Sequence, residues 1–182
     1  MDEGAELYLA YLKGDKSKLA DIVVAYRDDL QRFLLSLSKN ETVAEDITQE
    51  TFLKLFTKRP KYKSAASFKT WLFTIGRNLM LNELKRLSRN GGFVEEALSL
   101  PSANDPLEKI TENEEARQLR EAMEKLKPEY REVLYLTYFE EMSNKETAAV
   151  IGKKLGATEM ILSRARASLK EQMIKDGFEY EN

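Results

Sequence analysis

The residues best suited to chemistry fall into three groups, and none of the three resembles a catalytic centre. Asp46, Gln49, Glu50 and Leu53 recur at i, i+3, i+4 and i+7, so on a helix they share one face, with Ala44, Ile47, Thr51 and Leu55 opposite. Carboxylates and an amide beside an exposed leucine suit docking of a basic partner helix, although a plain solvated face fits the same pattern. Mg²⁺ accepts carboxylates too. A single helix supplies these, however, and no second cluster converges on them, so no metal and no cofactor is expected.

The second group is Lys61, Tyr62 and Lys63, followed by Phe68, Lys69, Trp71, Arg77 and Asn78, and then Asn82 and Lys85. On a 3.6-residue wheel Trp71, Asn78, Asn82 and Lys85 line one flank. Rings stack on unpaired bases, amides bond base edges and lysines meet phosphate, a combination suited to single-stranded nucleic acid. A half-buried Trp71 beside ordinary surface lysines fits equally.

The third group is Lys153, Lys154, Met160, Ile161, Arg164 and Arg166, around a glycine turn at Gly152. Small residues (Ala148, Ala149), the turn glycine and Leu155 closing the corner read as a helix-turn-helix. Thr158, Leu162, Ala165 and Leu169 would face inward, and Met160, Ser163, Arg164 and Ala167 outward to a major groove. An ordinary helical hairpin shares many of these features.

The elements that must position these groups are helices. Eight Gly and four Pro interrupt a chain of 182 residues in which apolar positions recur every three or four residues. The periodicity predicts helices over 5–13, 16–37, 42–58 and 68–88, the last burying Phe68, Leu72, Ile75 and Leu79. Thr42-x-x-Glu45 reads as a capping box, and Pro60 ends the third helix. Residues 90–108 read as a linker. Helix resumes near Pro106 and again at Pro128, the latter with Val133, Leu134, Leu136 and Tyr138. A second capping box, Ser143-x-x-Glu146, opens a short helix that stops at Gly152, and a last helix covers 157–175. The expected fold class is all-α: two small helical domains, 1–89 and 116–182, joined by a flexible linker at 90–115, with the helix-turn-helix in the second.

Composition narrows the function further. There is no Cys and no His, which removes disulfides, thiolate metal sites, thiol nucleophiles and imidazole catalysis. No apolar run approaches a membrane span, and the start Met1-Asp2-Glu3-Gly4 is too acidic for a signal peptide. The chain therefore reads as a cytoplasmic, non-catalytic protein. Its net charge of −2 hides a segregation. Residues 58–89 hold nine Lys/Arg against one acid, 89–115 two against seven, and 143–175 seven against three. Two basic stretches separated by an acidic tether suggest two contacts on one polyanion.

Taken in order, the run Glu45-Asp46-Ile-Thr-Gln49-Glu50-Thr-Phe52, then Phe68-x-x-Trp71-Leu-Phe-x-Ile-x-Arg77-Asn78, then Leu126-x-Pro128-x-Tyr130-Arg131-Glu132-Val133, and the helix-turn-helix ending Arg164-Ala165-Arg166 resemble the extracytoplasmic-function (ECF) sigma factors of bacterial RNA polymerase. The resemblance covers nearly the whole chain. It implies a promoter-specificity subunit whose partners are core RNA polymerase, promoter DNA as duplex and as melted strand, and an inhibitory anti-sigma protein. It places core docking on Asp46, Gln49, Glu50 and Leu53, and minus-ten element capture on loop 61–67 with Phe68, Trp71 and Asn78. Minus-thirty-five reading falls to residues 153–166, and the linker enters the polymerase's active-site and RNA-exit path. One departure stands out. Family members often carry Lys-Ser-Arg before the leucine of the recognition helix, where this chain has Glu159, Met160 and Ile161 before Leu162. The rival readings are a helix-turn-helix regulator acting without polymerase and a carboxylate-dependent nuclease built on Asp46 and Glu50.

Overall fold

A computed structural model describes residues 2–63, 65–90 and 114–178, and these divide into two compact units. Among the described residues the regular structure is helical throughout. The N-terminal unit contains α1 (Glu3–Leu12), α2 (Lys18–Ser38), α3 (Glu41–Lys58) and α4 (Phe68–Arg89). α2 packs against each of the other three, and α3 against α4. Tyr8, Ile22, Leu30, Phe33, Leu34, Leu55, Phe68, Leu72, Phe73 and Met80 are fully buried and form its core. Phe33 and Phe73 stack with ring centroids 5.2 Å apart, an aromatic pairing that adds about 0.5–1.5 kcal/mol beyond the area it buries. Gly76 lets α4 cross closely: a Cβ there would come within 2.9 Å of Leu30 Cδ1 and 3.3 Å of Thr51 Oγ1.

Three of the four helix starts in this unit carry a side-chain cap, while Ser17 before α2 makes none. The Asp2 carboxylate accepts from the Ala5 amide to cap α1, and Ser67 accepts from the Thr70 amide to cap α4. At α3 the expected capping box is replaced. Asn40 is the cap and accepts from the Val43 amide at 3.0 Å, so the helix opens at Glu41 and Thr42 lies inside its first turn. The buried face of α4 also differs from expectation. It runs through Phe68, Leu72, Phe73, Gly76 and Met80, leaving Ile75 and Leu79 half-buried, because α2 and α3 both pack on this helix and draw its buried stripe toward the groove between them.

From residue 114 the described chain contains α5 (Glu114–Glu124), α6 (Pro128–Leu134) running on into a π-turn at Tyr135–Phe139, α7 (Asn144–Ile151) and α8 (Leu155–Lys175). Pro128 occupies the first turn of α6, where its missing N–H leaves nothing unsatisfied. The capping box at Ser143 is formed: Ser143 N donates to Glu146 Oε2 at 3.0 Å and Glu146 N to Ser143 Oγ at 3.2 Å. Gly152 turns the chain at φ +69, in the left-handed region where glycine carries no Cβ penalty. α8 packs on α6 and α5 and buries Thr158, Leu162, Ala165 and Met173, with Leu169 half-buried.

Three expectations for this unit are corrected. Leu155 does not close the corner; it is the first residue of α8 and is exposed. Ala148 is buried but Ala149 is exposed. Tyr138 lies outside the core because the π-turn adds a residue to the helical repeat and rotates the following side chains off the α6 stripe. The linker expected at 90–115 and the helix start expected near Pro106 fall almost wholly outside the described residues.

Candidate partner and nucleic-acid interfaces

On α3, Ala44, Ile47, Thr51 and Leu55 are buried, which turns Asp46, Gln49 and Glu50 outward together with Leu53, 61% exposed. The Thr48 and Thr51 hydroxyls donate back to the carbonyls of Ala44 and Ile47, each at 2.7 Å, so the buried face leaves no hydroxyl unpaired there. Gln49 Nε2 donates to Glu45 Oε1 at 3.3 Å. An exposed leucine amid carboxylates suits a partner with both apolar and basic character, and a plain solvated face equally, since single exposed apolar side chains are ordinary. Among the described residues no group of three or more His, Cys, Asp or Glu is arranged to hold a metal.

The second candidate surface lies on the α3–α4 loop and the start of α4. Lys61 and Lys63 are exposed and Tyr62 between them is half-buried. The Tyr62 hydroxyl donates to the Ala66 carbonyl at 2.5 Å, and its ring meets Trp71 edge-on at 5.2 Å. Trp71 is half-buried, with its ring 5.2 Å from Tyr8 and 5.6 Å from Phe68. The half-buried packing considered for Trp71 is therefore present, with part of the residue still accessible. Phe68 is fully buried; it supports Trp71 and Tyr62 from beneath and has no surface to offer a base. Lys69 pairs with Asp29 at 3.5 Å and lies over the Phe73 ring at 5.5 Å. Arg77 is half-buried, while Asn78, Asn82 and Lys85 are exposed along one flank.

Sequence reasoning missed what fastens this loop. Tyr8 Oη donates to the Pro60 carbonyl and Tyr11 Oη to the Phe56 carbonyl, both at 2.8 Å. Burial, with Tyr11 adding to it, pushes the Tyr8 hydroxyl up to about 12, so it stays a protonated donor throughout the neutral range. Burial, followed by the charge of Asp2, also raises Tyr62 above the ordinary phenol value. The only advance sign was the pair of tyrosines on one predicted helix.

In the C-terminal unit, Lys153, Lys154, Glu159, Arg164 and Arg166 are exposed, Met160 is 56% exposed and Ile161 is half-buried. Lys153 pairs with Glu129 at 3.2 Å. Arg166 Nε donates to the Tyr138 hydroxyl at 2.6 Å, with its guanidinium 5.6 Å from the ring centre. Tyr138, read from sequence as core, thus meets a candidate DNA contact.

Comparison with known proteins now decides the family. Residues 22–90 match Sigma-70 region 2 and residues 116–169 match Sigma-70, region 4. The chain is 30% identical to the ECF RNA polymerase sigma factor EcfG of Rhodopseudomonas palustris over 88% of each protein. This chain belongs to the ECF sigma factors. It is also 27% identical to the RNA polymerase sigma factor YlaC of Bacillus subtilis, over 88% of this chain and 94% of that one. Two solved structures resemble it, each at 26% identity. One is the sigma factor RpoE bound to the anti-sigma factor NepR from Bartonella quintana (TM-score 0.69, 87% of this chain and 98% of that one). The other is CnrH with the cytosolic domain of CnrY (TM-score 0.70, 97% and 100%). As a sigma factor, the protein is a promoter-specificity subunit of RNA polymerase that acts in transcription initiation. No described helix is long and apolar enough to cross a membrane.

Proposed function

We propose that this sigma factor divides its work by surface, within domains at 1–89 and 116–182 and a linker at 90–115. The α3 face of Asp46, Gln49, Glu50 and Leu53 docks on core polymerase. Lys61, Tyr62, Lys63, Trp71, Asn78 and Lys85 take up the melted minus-ten strand, with Phe68, Lys69 and Arg77 supporting that surface. Lys153, Lys154, Met160, Arg164 and Arg166, with Ile161 at the margin, meet minus-thirty-five duplex. The protein itself is non-catalytic and cytoplasmic, and an anti-sigma protein holds it inactive, as the partners of its structural relatives suggest.

The observation that carries this reading is the exposure of Leu53 within a carboxylate face on the same small unit as a half-buried Trp–Tyr pair set between exposed lysines. Mixing the full chain with core polymerase should give co-elution and initiation from promoters selected out of a random DNA pool. Tight promoter binding without core would indicate a regulator acting alone. Divalent-dependent cleavage of nucleic acid by the purified chain would indicate a nuclease.

A further inference from the structure

Helix α1 and Asp2 precede both matched regions, which begin at residues 22 and 116, and neither carries a contact assigned above. Their side chains nonetheless converge on the two ends of the loop at 59–67. At its beginning, Tyr11 Oη donates to the Phe56 carbonyl and Tyr8 Oη to the Pro60 carbonyl. Arg59 Nε donates to Tyr11 Oη at 3.2 Å, and the guanidinium lies 5.1 Å from the Tyr11 ring centre. At its end, the Asp2 carboxylate that caps α1 also accepts from the Phe68 amide at 2.9 Å, so one side chain serves two helix starts. Gly4 makes the approach possible: a Cβ there would sit 2.3 Å from Tyr26 Oη and 2.6 Å from Phe68 Cδ1.

Packing alone does not require this arrangement. Rings without hydroxyls would fill the same space, whereas these hydroxyls are spent on main-chain carbonyls 45 and 52 residues away. The main chain they grip is otherwise costly to hold. Arg59 is left-handed at φ 45, a conformation that non-glycine residues avoid. Between the two anchors lie Lys61, Tyr62 and Lys63. A loop already held in its binding shape loses less conformational freedom on taking up a flexible strand.

We propose that α1 is a positioning element for base capture: Tyr8 and Tyr11 hold residues 59–63 in a strand-receiving shape, and Asp2 fixes the start of α4. The proposal rests on the assignment of the minus-ten surface above. It implies that the hydroxyls matter to strand opening rather than to core docking or duplex binding.

The test uses the full chain with core polymerase on a promoter selected by the wild-type holoenzyme, and reads co-elution, closed-complex affinity and opening rate separately. Tyr8→Phe keeps the ring and removes only the donor. Its opening rate should fall about fivefold, the change one hydrogen bond carries, and discrimination at the captured base should weaken. Co-elution and closed-complex affinity should not change, and the melting temperature should fall by no more than the several degrees that one hydrogen bond carries. Wild-type opening and discrimination by Tyr8→Phe, in a system where Tyr62→Ala slows opening, would overturn the proposal alone. Normal opening by Tyr62→Ala would remove the minus-ten assignment and the proposal with it.

If Tyr8→Phe lowers the melting temperature by more than that, Arg59→Gly carries the test, because the site is exposed and glycine accepts φ 45. About twofold slower opening at an unchanged salt dependence of promoter binding supports positioning. Unchanged opening, or a shallower salt slope that marks Arg59 as a phosphate contact, counts against it.

Discussion

The two units present nucleic acid with surfaces of different construction. In the N-terminal unit the proposed contacts sit on a loop and a helix start tied down by Asp2, Tyr8 and Tyr11, over a floor of rings in which Tyr8, Tyr62, Phe68 and Trp71 lie 5.2–6.0 Å from their neighbours. In the C-terminal unit they line the outward face of one helix and the turn before it. There Lys154 and Arg164 have no side-chain partner among the described residues, and Lys153 and Arg166 hold one each. The difference fits what each surface is proposed to meet. Duplex DNA arrives already ordered, so a rigid helix with long side chains is sufficient to read it. An unpaired base brings no scaffold of its own, and the protein must supply the shape.

The comparison has meaning only if both surfaces reach the same promoter, and α3 is what should bring them there. Asp46→Arg with Glu50→Arg is therefore the largest expected effect. Placing like charges together at an interface costs several kcal/mol, so affinity for core polymerase should drop by about a hundredfold or more on that scale. Helical content and melting temperature should stay put, because exposed positions shift stability by only about 0.5 kcal/mol. Normal co-elution of this variant would remove the docking role from α3 and leave the two surfaces without a common assembly.

Trp71 and Met160 set the two constructions side by side. Trp71→Ala removes a half-buried ring from the floor beneath the loop and should cost about 2–3 kcal/mol of stability, below the range for a fully buried aromatic. It should also slow strand opening, since stacking on a base is worth about 1–3 kcal/mol. Trp71→Phe should recover most of the stability and part of the opening. Met160→Ala, at an exposed position, should leave a thermal melt within about 1 °C, given that about 1 kcal/mol moves a domain of this size by several degrees. Equal destabilisation by the two alanine variants would erase the contrast between a built surface and a free one.

Most of the helical architecture was legible because apolar periodicity is a local property, and the face of α3 proposed for docking is exposed just where the periodicity places it. Errors arose where a second element intervened. Asn40 lies outside the apolar repeat, so Thr42 looked like the cap; two neighbours on α4 moved its buried stripe from Ile75 and Leu79 to Phe73, Gly76 and Met80. The π-turn at Tyr135–Phe139 has no sequence period of its own, so Tyr138 was read as core. The Tyr8 and Tyr11 ties span 52 and 45 residues, a separation that no local pattern encodes. Phe68 was read in two ways, as buried by its periodicity and as part of the capture surface by its place in a motif, and the packing agrees with the periodicity.

Glu159→Lys sharpens the comparison from the C-terminal side with a moderate effect. Glu159 is exposed on the first turns of α8, near where the duplex backbone would pass, and its charge opposes phosphate. If this surface is a free-standing charge array, replacing an acid by a cation should raise duplex affinity nearly uniformly across sequences. It should also steepen the slope of log affinity against log salt by about one unit, the increment for one added phosphate contact. A gain confined to one sequence would mean instead that Glu159 reads a base edge. No change in affinity or slope would put the groove contact elsewhere.

The smallest expected effect belongs to Tyr138, the one C-terminal residue that resembles the tyrosine ties of the other unit. Its hydroxyl accepts from Arg166 Nε while its ring lies beside the guanidinium, so Tyr138→Phe removes the hydrogen bond and keeps the cation–π contact. Both partners are exposed, and the lost bond competes with water. A duplex-affinity loss of about twofold is expected, toward the lower end of what a net hydrogen bond contributes. The deciding measurement is a double-mutant cycle with Arg166→Ala, read as promoter-duplex affinity of the holoenzyme. If the tyrosine aims Arg166, Tyr138→Phe should have no effect once Arg166 is alanine. Tighter binding by Tyr138→Phe would mean that the hydroxyl holds Arg166 back from the phosphate. Equal losses with and without Arg166 would place the role of Tyr138 in the π-turn itself, and the C-terminal surface would then have no counterpart to the ties of the N-terminal one.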